Sequence, residues 1–324
     1  MASVRNRRGR WGRSYGLAMG GGGARIARIP TVGFVGVGSI GRPMCLNIAK
    51  GGSRVVACDA SLEARDRLDG TPVEVAGSIA EVAQAAEVCV LSLPNSDVVE
   101  EVIFGEGGLA GGLSEGDVVV DTSSSRPSST REVARRLAER GVGMLDAPVS
   151  GGVSRAGMGD LTVMVGGEPE VFDGCRAVLE AFSGEVFYVG ESGAGHMAKA
   201  VNNLVTATTL ASAAEAVLLG ERAGLNPEKL VEIINASSGR SASTEIKFPR
   251  YVLNRAFEDG FAIGLMNKDV KIALDAASEL GFPTVMGSAV GQVWQAAVAQ
   301  GFGGKGHTAI YEFLEEFTGS VKNS

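Results

Sequence analysis

Histidine is scarce in this sequence. There are two in 324 residues, His196 and His307, far apart and without ligand spacing. Cysteine is scarce too: Cys45, Cys58, Cys89 and Cys175 form no CxxC pair, and the first three sit among apolar residues. These shortages leave no metal-ligand set and no disulfide framework. The expectation is a cytoplasmic protein without a metal, its thiols reduced and packed in the core. No segment reaches the roughly 18 uninterrupted apolar residues that span a bilayer, so no membrane partner is expected. Basic charge is also short. The formal net charge is −7, which argues against nucleic-acid binding by the chain as a whole. Glycine is plentiful, at 47 residues, but has no fixed period. That excludes a collagen-like chain and implies many tight turns.

The charge is unevenly spread. Arg5, Arg7, Arg8, Arg10, Arg13, Arg25 and Arg28 fall in the first 30 residues, which hold no acid. Such a leader fits a targeting peptide or a nucleic-acid arm. The glycine run Gly20–Gly23 and the internal start candidate Met19 favour a simpler reading, in which residues 1–29 are a flexible basic extension outside the fold.

The rest is long enough for two domains. Strand patterns at 31–36, 54–59, 73–75, 88–93, 117–121, 143–146, 161–165 and 186–189 alternate, over most of their length, with helical patterns at 40–50, 61–68, 79–85, from about 96, and at 128–140. This alternation predicts a Rossmann-type α/β domain over residues 30–192, with a mostly parallel sheet. After residue 192 strand patterns stop. A long Ala- and Leu-rich helix over 198–223 leads into helices at 228–236, 245–254, 267–280, 284–300 and 308–318. An all-α C-terminal domain over 193–321 is expected. Its first helix is apolar on most sides, so it should be buried between domains or subunits.

The first strand runs into Gly36-Val37-Gly38-Ser39-Ile40-Gly41, and a helix follows. Asp59 ends the second strand, 18 residues after Gly41. In that context the glycines read as a dinucleotide turn. Gly36 permits the tight turn, Gly38 lets the backbone approach a pyrophosphate, and Gly41 allows close helix–strand packing. Asp59 would accept hydrogen bonds from the ribose hydroxyls and repel a 2′-phosphate, which selects NAD, with NADP as the alternative. Arg65 is the counter-signal, read as facing solvent. The turn alone names no reaction.

Six segments in order extend this reading: Gly33–Met44, Leu93-Pro94-Asn95, Asp121-Thr122-Ser123-Ser124, Asp146–Gly152, Gly193–Asn203 and Lys268-Asp269. Over roughly 30–320 the chain resembles the 3-hydroxyisobutyrate dehydrogenase family, the β-hydroxyacid dehydrogenases, whose relatives include 6-phosphogluconate dehydrogenase. The resemblance implies reversible hydride transfer between NAD(H) and the 3-hydroxyl of a small 3-hydroxy acid, of the 3-hydroxyisobutyrate or tartronate semialdehyde type. It also implies a homodimer or homotetramer. Lys199 matches the catalytic lysine, with Asn203 one helical turn on and Asn202 beside it. An unperturbed lysine titrates near ~10.4, too high for a base at neutral pH. Burial beside a cationic nicotinamide would lower it. By the same match Ser123 and Ser150-Gly151-Gly152 would hold the substrate carboxylate. Leu93, Pro94, Asn95, Ser124 and Lys268 would contact cofactor.

Residues 193–195 (Gly-Ala-Gly) are expected to let a substrate approach the helix start, and His196 is read as structural. Arg126, Arg240 and Lys247 are candidates for a distal acidic group on the substrate. Two other functions share the fold: an imine reductase, which typically lacks the lysine, and a non-catalytic NAD-binding interaction module.

Overall fold

A computed structural model describes residues 29–319, and the expectation for the basic leader lies outside these. Two compact units part between Lys199 and Ala200.

The first unit is built on nine strands: β1 (Val32–Val35), β2 (Val55–Cys58), β3 (Glu74–Val75), β4 (Val88–Leu91), β5 (Val118–Asp121), β6 (Gly143–Asp146), β7 (Val149–Ser150), β8 (Leu161–Gly167) and β9 (Ser183–Gly190). Their order is β3-β2-β1-β4-β5-β6-β8-β7, and β9 pairs with β8. From β3 to β6 every pairing is parallel. β1, β2, β4 and β5 are buried at every position, because helices cover both faces. The sheet is the mostly parallel one expected, with a difference at its far end. β8 runs antiparallel to both β6 and β7. β7 is a two-residue strand, too short to show an alternation.

Seven helices accompany the sheet: α1 (Gly41–Lys50), α2 (Leu62–Asp66), α3 (Ile79–Ala85), α4 (Ser96–Phe104), α5 (Pro127–Ala138), α6 (Gly152–Met158) and α7 (Pro169–Glu180). The last two were not expected. α6 is short and has Gly152 and Gly157 in seven residues, so no apolar period shows. α7 does carry a period: Val171, Phe172, Cys175, Val178 and Leu179 are its buried face. Cys45, Cys58, Cys89 and Cys175 are all free and buried. Burial pushes the thiols of Cys45, Cys89 and Cys175 up to about 12.

α8 (Ala194–Arg222) continues into the second unit. It is long and apolar enough to cross a membrane by length and composition. Its apolar residues have another use: Ala207, Leu210, Ala214 and Val217 are buried with Phe248, Trp294 and Phe313 in the core of the second unit. The other helices there are α9 (Pro227–Asn235), α10 (Ile263–Glu279), α11 (Val285–Ala299) and α12 (Ile310–Phe317). One segment differs in kind. The α-helix expected at 245–254 is a π-helix over Ser243–Val252, with Pro249 inside it. Proline has no N–H and its ring crowds the carbonyl four residues back, so a regular α ladder cannot pass this point.

Candidate active site

In the first unit the glycine turn leaves β1 and enters α1. Gly36 has φ +94°, a conformation that side chains disfavour, and a Cβ there would lie 2.3 Å from the Ser92 carbonyl oxygen. At Gly41 a Cβ would lie 1.9 Å from the Gly36 oxygen. Gly38 is the opposite case: a Cβ would meet nothing within 4 Å. Two glycines are therefore required by the protein's own packing, and the third opens the backbone to whatever approaches. Ser39 is exposed and Ile40 half-buried. α2, α3 and α4 are capped by Ser61, Ser78 and Asn95, but no side chain among the described residues caps α1 at Ile40. An uncapped helix start beside an open glycine suits a pyrophosphate, whose oxygens would take the spare N–H groups. The residues present thus fit a dinucleotide.

Asp59 closes the turn from β2. Its Oδ2 accepts from the Val37 amide at 2.7 Å and its Oδ1 from the Ser61 amide at 2.8 Å. Each oxygen keeps a lone pair for a ribose hydroxyl. Arg65, expected from the sequence to face solvent, does not do so freely. It is half-buried, and its Nε donates to the Asp59 carbonyl. The guanidinium is folded back on the end of β2.

The ends of β4, β5 and β7 carry the next group. Ser123 follows β5 and is 4% exposed. Its amide donates to Asp121 Oδ1 at 2.9 Å, and its hydroxyl oxygen accepts from the Leu93 amide at 2.9 Å. That leaves the hydroxyl proton to donate elsewhere. Asn95 spends its carboxamide oxygen on the Val98 amide, 3.0 Å away, as the cap of α4. Pro94 is exposed and Ser124 half-buried. Ser150 ends β7, and Gly151 (φ +138°) and Gly152 (φ +72°) turn the chain into α6. Both glycines take a positive φ that side chains disfavour, and there is room for a ligand at Gly152, where a Cβ would meet nothing within 4 Å.

α8 starts four residues earlier than expected, and the role of residues 193–195 changes accordingly. A Cβ on Gly195 would lie 2.4 Å from the Met164 oxygen and 2.6 Å from the Asp146 oxygen. The chain's own strands approach the helix there, not a substrate. Asp146, fully buried, accepts from the amides of Gly193 and His196 at 2.8 Å each. His196 is 1% exposed. Its Nε2 lies 3.0 Å from the Ser123 carbonyl and its Nδ1 2.7 Å from the Thr130 hydroxyl. Lys199 follows three residues later and is half-buried.

In the second unit Asn203 is buried and donates from Nδ2 to Asp269 Oδ2 at 2.6 Å, while Asn202 donates to Asn203 Oδ1 at 3.1 Å. Asp269 Oδ1 makes no hydrogen bond but faces the Lys268 ammonium at 3.4 Å. Sequence reading gave Asp121, Asp146 and Asp269 no role; here they are the buried anchors of Ser123, of the start of α8 and of Asn203. The signal was present for the first two, an acid at the end of an apolar strand. Of the distal-acid candidates, Lys247 Nζ lies 2.6 Å from His307 Nε2, whose Nδ1 lies 2.8 Å from Asp259. Arg240 is exposed near Glu245, and Arg126 pairs with Asp97.

Comparison with known proteins adds the family. Residues 31–190 match the NAD binding domain of 6-phosphogluconate dehydrogenase, and 193–314 match a domain described as the NAD-binding of NADP-dependent 3-hydroxyisobutyrate dehydrogenase. The chain is 38% identical to 2-(hydroxymethyl)glutarate dehydrogenase of Eubacterium barkeri, over 89% of this chain and 96% of that one. It is 34% identical to the mitochondrial 3-hydroxyisobutyrate dehydrogenase of Mus musculus, over 88% and 87%. A solved Mycobacterium tuberculosis 3-hydroxyisobutyrate dehydrogenase with L-serine superposes with a TM-score of 0.83 at 31% identity, covering 89% of this chain and 99% of that one. With this similarity along both units, the chain belongs to the 3-hydroxyisobutyrate dehydrogenase family of NAD(P)-dependent β-hydroxyacid dehydrogenases.

Proposed function

We propose that this protein reversibly oxidises the 3-hydroxyl of a small 3-hydroxy acid, of the 3-hydroxyisobutyrate or tartronate semialdehyde type, with NAD preferred over NADP and Lys199 as general acid and base. The observation that carries this reading is Lys199 itself, half-buried near the start of α8, three residues beyond the ring that holds Ser123. The nicotinamide, when bound, supplies the two-electron chemistry as hydride acceptor or donor. The protein supplies the proton chemistry and the positioning. In oxidation Lys199 Nζ takes the hydroxyl proton, and in reduction it returns one to the carbonyl oxygen. Ser123 donates its remaining hydroxyl proton to the substrate carboxylate, assisted by the amides of the Ser150-Gly151-Gly152 turn. Asn203 and Asn202 serve the substrate from the turn of α8 that follows Lys199, with Asp269 fixing the carboxamide of Asn203. Gly36, Gly38 and Gly41, with Ser39 and Ile40, hold the pyrophosphate; Asp59 selects the ribose. Leu93, Pro94, Asn95, Ser124 and Lys268 line the cofactor. The working form is a homodimer or homotetramer in a reducing compartment, the cytoplasm. The test is a screen of NAD and NADP reduction over a panel of 3-hydroxy acids, with 2-hydroxy acids and cyclic imines as controls. Turnover confined to the 3-hydroxy acids, fastest with NAD, is expected. Turnover of imines alone, or of nothing, sinks the proposal.

A further inference from the structure

Ser123 is fixed at three atoms. Its amide is held by Asp121, its hydroxyl oxygen by the Leu93 amide, and its carbonyl by His196 Nε2 at 3.0 Å. The first two contacts come from the sheet. The third comes from α8, the helix that carries Lys199. The carbonyl can only accept, so His196 Nε2 carries a proton and donates it. The ring is held from the far side as well, with Nδ1 2.7 Å from Thr130 Oγ1 on α5. The backbone of the same residue is pinned, its amide donating to Asp146 on β6. Positions 196 and 199 are three apart on a helix, which makes them neighbours on one side of it. A single side chain thus ties the residue that would hold the carboxylate to the turn that would deliver the proton.

We propose that His196 is a positioning residue that sets the separation between Ser123 and Lys199, and so selects the chain length of the hydroxy acid. The inference rests on the proposed function of Ser123 and Lys199. In a 3-hydroxy acid one carbon separates the carboxylate carbon from the carbon that bears the reacting oxygen, and in a 4-hydroxy acid two do. A site whose two anchors are tied through one ring admits one such span, and loosening the tie admits others. His196 itself touches neither substrate nor cofactor in this scheme.

The experiment measures kcat/KM of wild type, His196→Ala, His196→Gln and Thr130→Val on 3-hydroxypropionate and on 4-hydroxybutyrate, with NADH Kd from fluorescence titration. A misplacement of about 1 Å costs on the order of 10²-fold, so His196→Ala should lose about that on the shorter acid. Its preference for the shorter acid should narrow by about ten-fold or more, with NADH Kd within about two-fold of wild type. His196→Gln should restore the preference, because a carboxamide can donate to the Ser123 carbonyl. Thr130→Val frees only the ring's far side and should narrow the preference less. An unchanged preference in His196→Ala, or equal losses on both acids, overturns the proposal. If that variant does not fold, a wild-type preference in Thr130→Val overturns it instead. Failure of the underlying reading looks different: the wild type itself would turn over neither acid.

Discussion

Two glycines five and two residues into the dinucleotide turn make opposite demands, and a paired substitution separates them. At Gly41 a Cβ would stand 1.9 Å from the Gly36 oxygen, 3.0 Å from its carbon and 3.2 Å from the Phe34 ring. Contacts between heavy atoms are comfortable from roughly 3.5 Å, so the helix start must withdraw by more than ~1 Å. The obstructing atom is backbone, tied down because the Gly36 amide donates to the Cys58 carbonyl at 3.0 Å. Overpacking of this kind costs about 3 kcal/mol, the upper part of the usual range. For a chain of this size that lowers Tm by about 5 °C or more. At Gly38 the methyl would enter open space and φ is not positive, so Gly38→Ala should leave stability within about 0.5 kcal/mol. The same methyl would stand where the pyrophosphate must come close. Losing one charge-assisted contact of roughly 1.5–3 kcal/mol weakens NADH binding by about 10- to 100-fold. Differential scanning fluorimetry and NADH fluorescence titration read the two effects separately. Wild-type NADH affinity in Gly38→Ala would refute the pyrophosphate reading. A wild-type Tm in Gly41→Ala would refute the packing reading.

Two further outcomes follow from charge and burial. Burial alone would raise the pKa of Asp259, but hydrogen bonding and charge from His307, with the bond from Thr308, override it and hold the carboxyl below its ordinary value. A depressed carboxyl stabilises the fold above its unfolded pKa of ~3.9 and loses that contribution as pH falls through the folded value. Asp259→Asn should therefore lower stability by about 2 kcal/mol at pH 7 in urea titrations, with the gap closing below about pH 4; a gap that widens in acid would contradict this. The thiols of Cys45, Cys89 and Cys175, pushed up to about 12, should be inert to a chromogenic disulfide reagent at pH 8 in the native protein. All four cysteines should react in guanidinium, and rapid native labelling of any of those three would contradict their burial.

Much of the fold was legible because burial on both faces writes a strand as an apolar run. Val32–Val35, Val55–Cys58, Val88–Leu91 and Val118–Asp121 all announce themselves this way. What the local pattern could not carry was pairing and reversal. The antiparallel turn of β8 against β6 is settled by long-range register, and β7 is only two residues long. The π-helix at Ser243–Val252 has the apolar spacing of an α-helix, and Pro249 was its only warning. At the site, the open glycine and Asp59 were readable from spacing. The buried anchors were not, since Asp146 meets Gly193 and His196 across 47 and 50 residues of chain. Gly195 shows the same limit: a small residue was legible, but the strand carbonyls it makes room for were not.

The central claim is that Lys199 moves the proton. Lys199→Ala, assayed for NADH formation with the best 3-hydroxy acid and for NADH binding by fluorescence, tests it most directly. Loss of a positioned general acid–base group costs roughly 10²–10⁴-fold, so kcat should fall by about that much while NADH Kd stays near the wild-type value. Wild-type kcat in the variant would contradict the account.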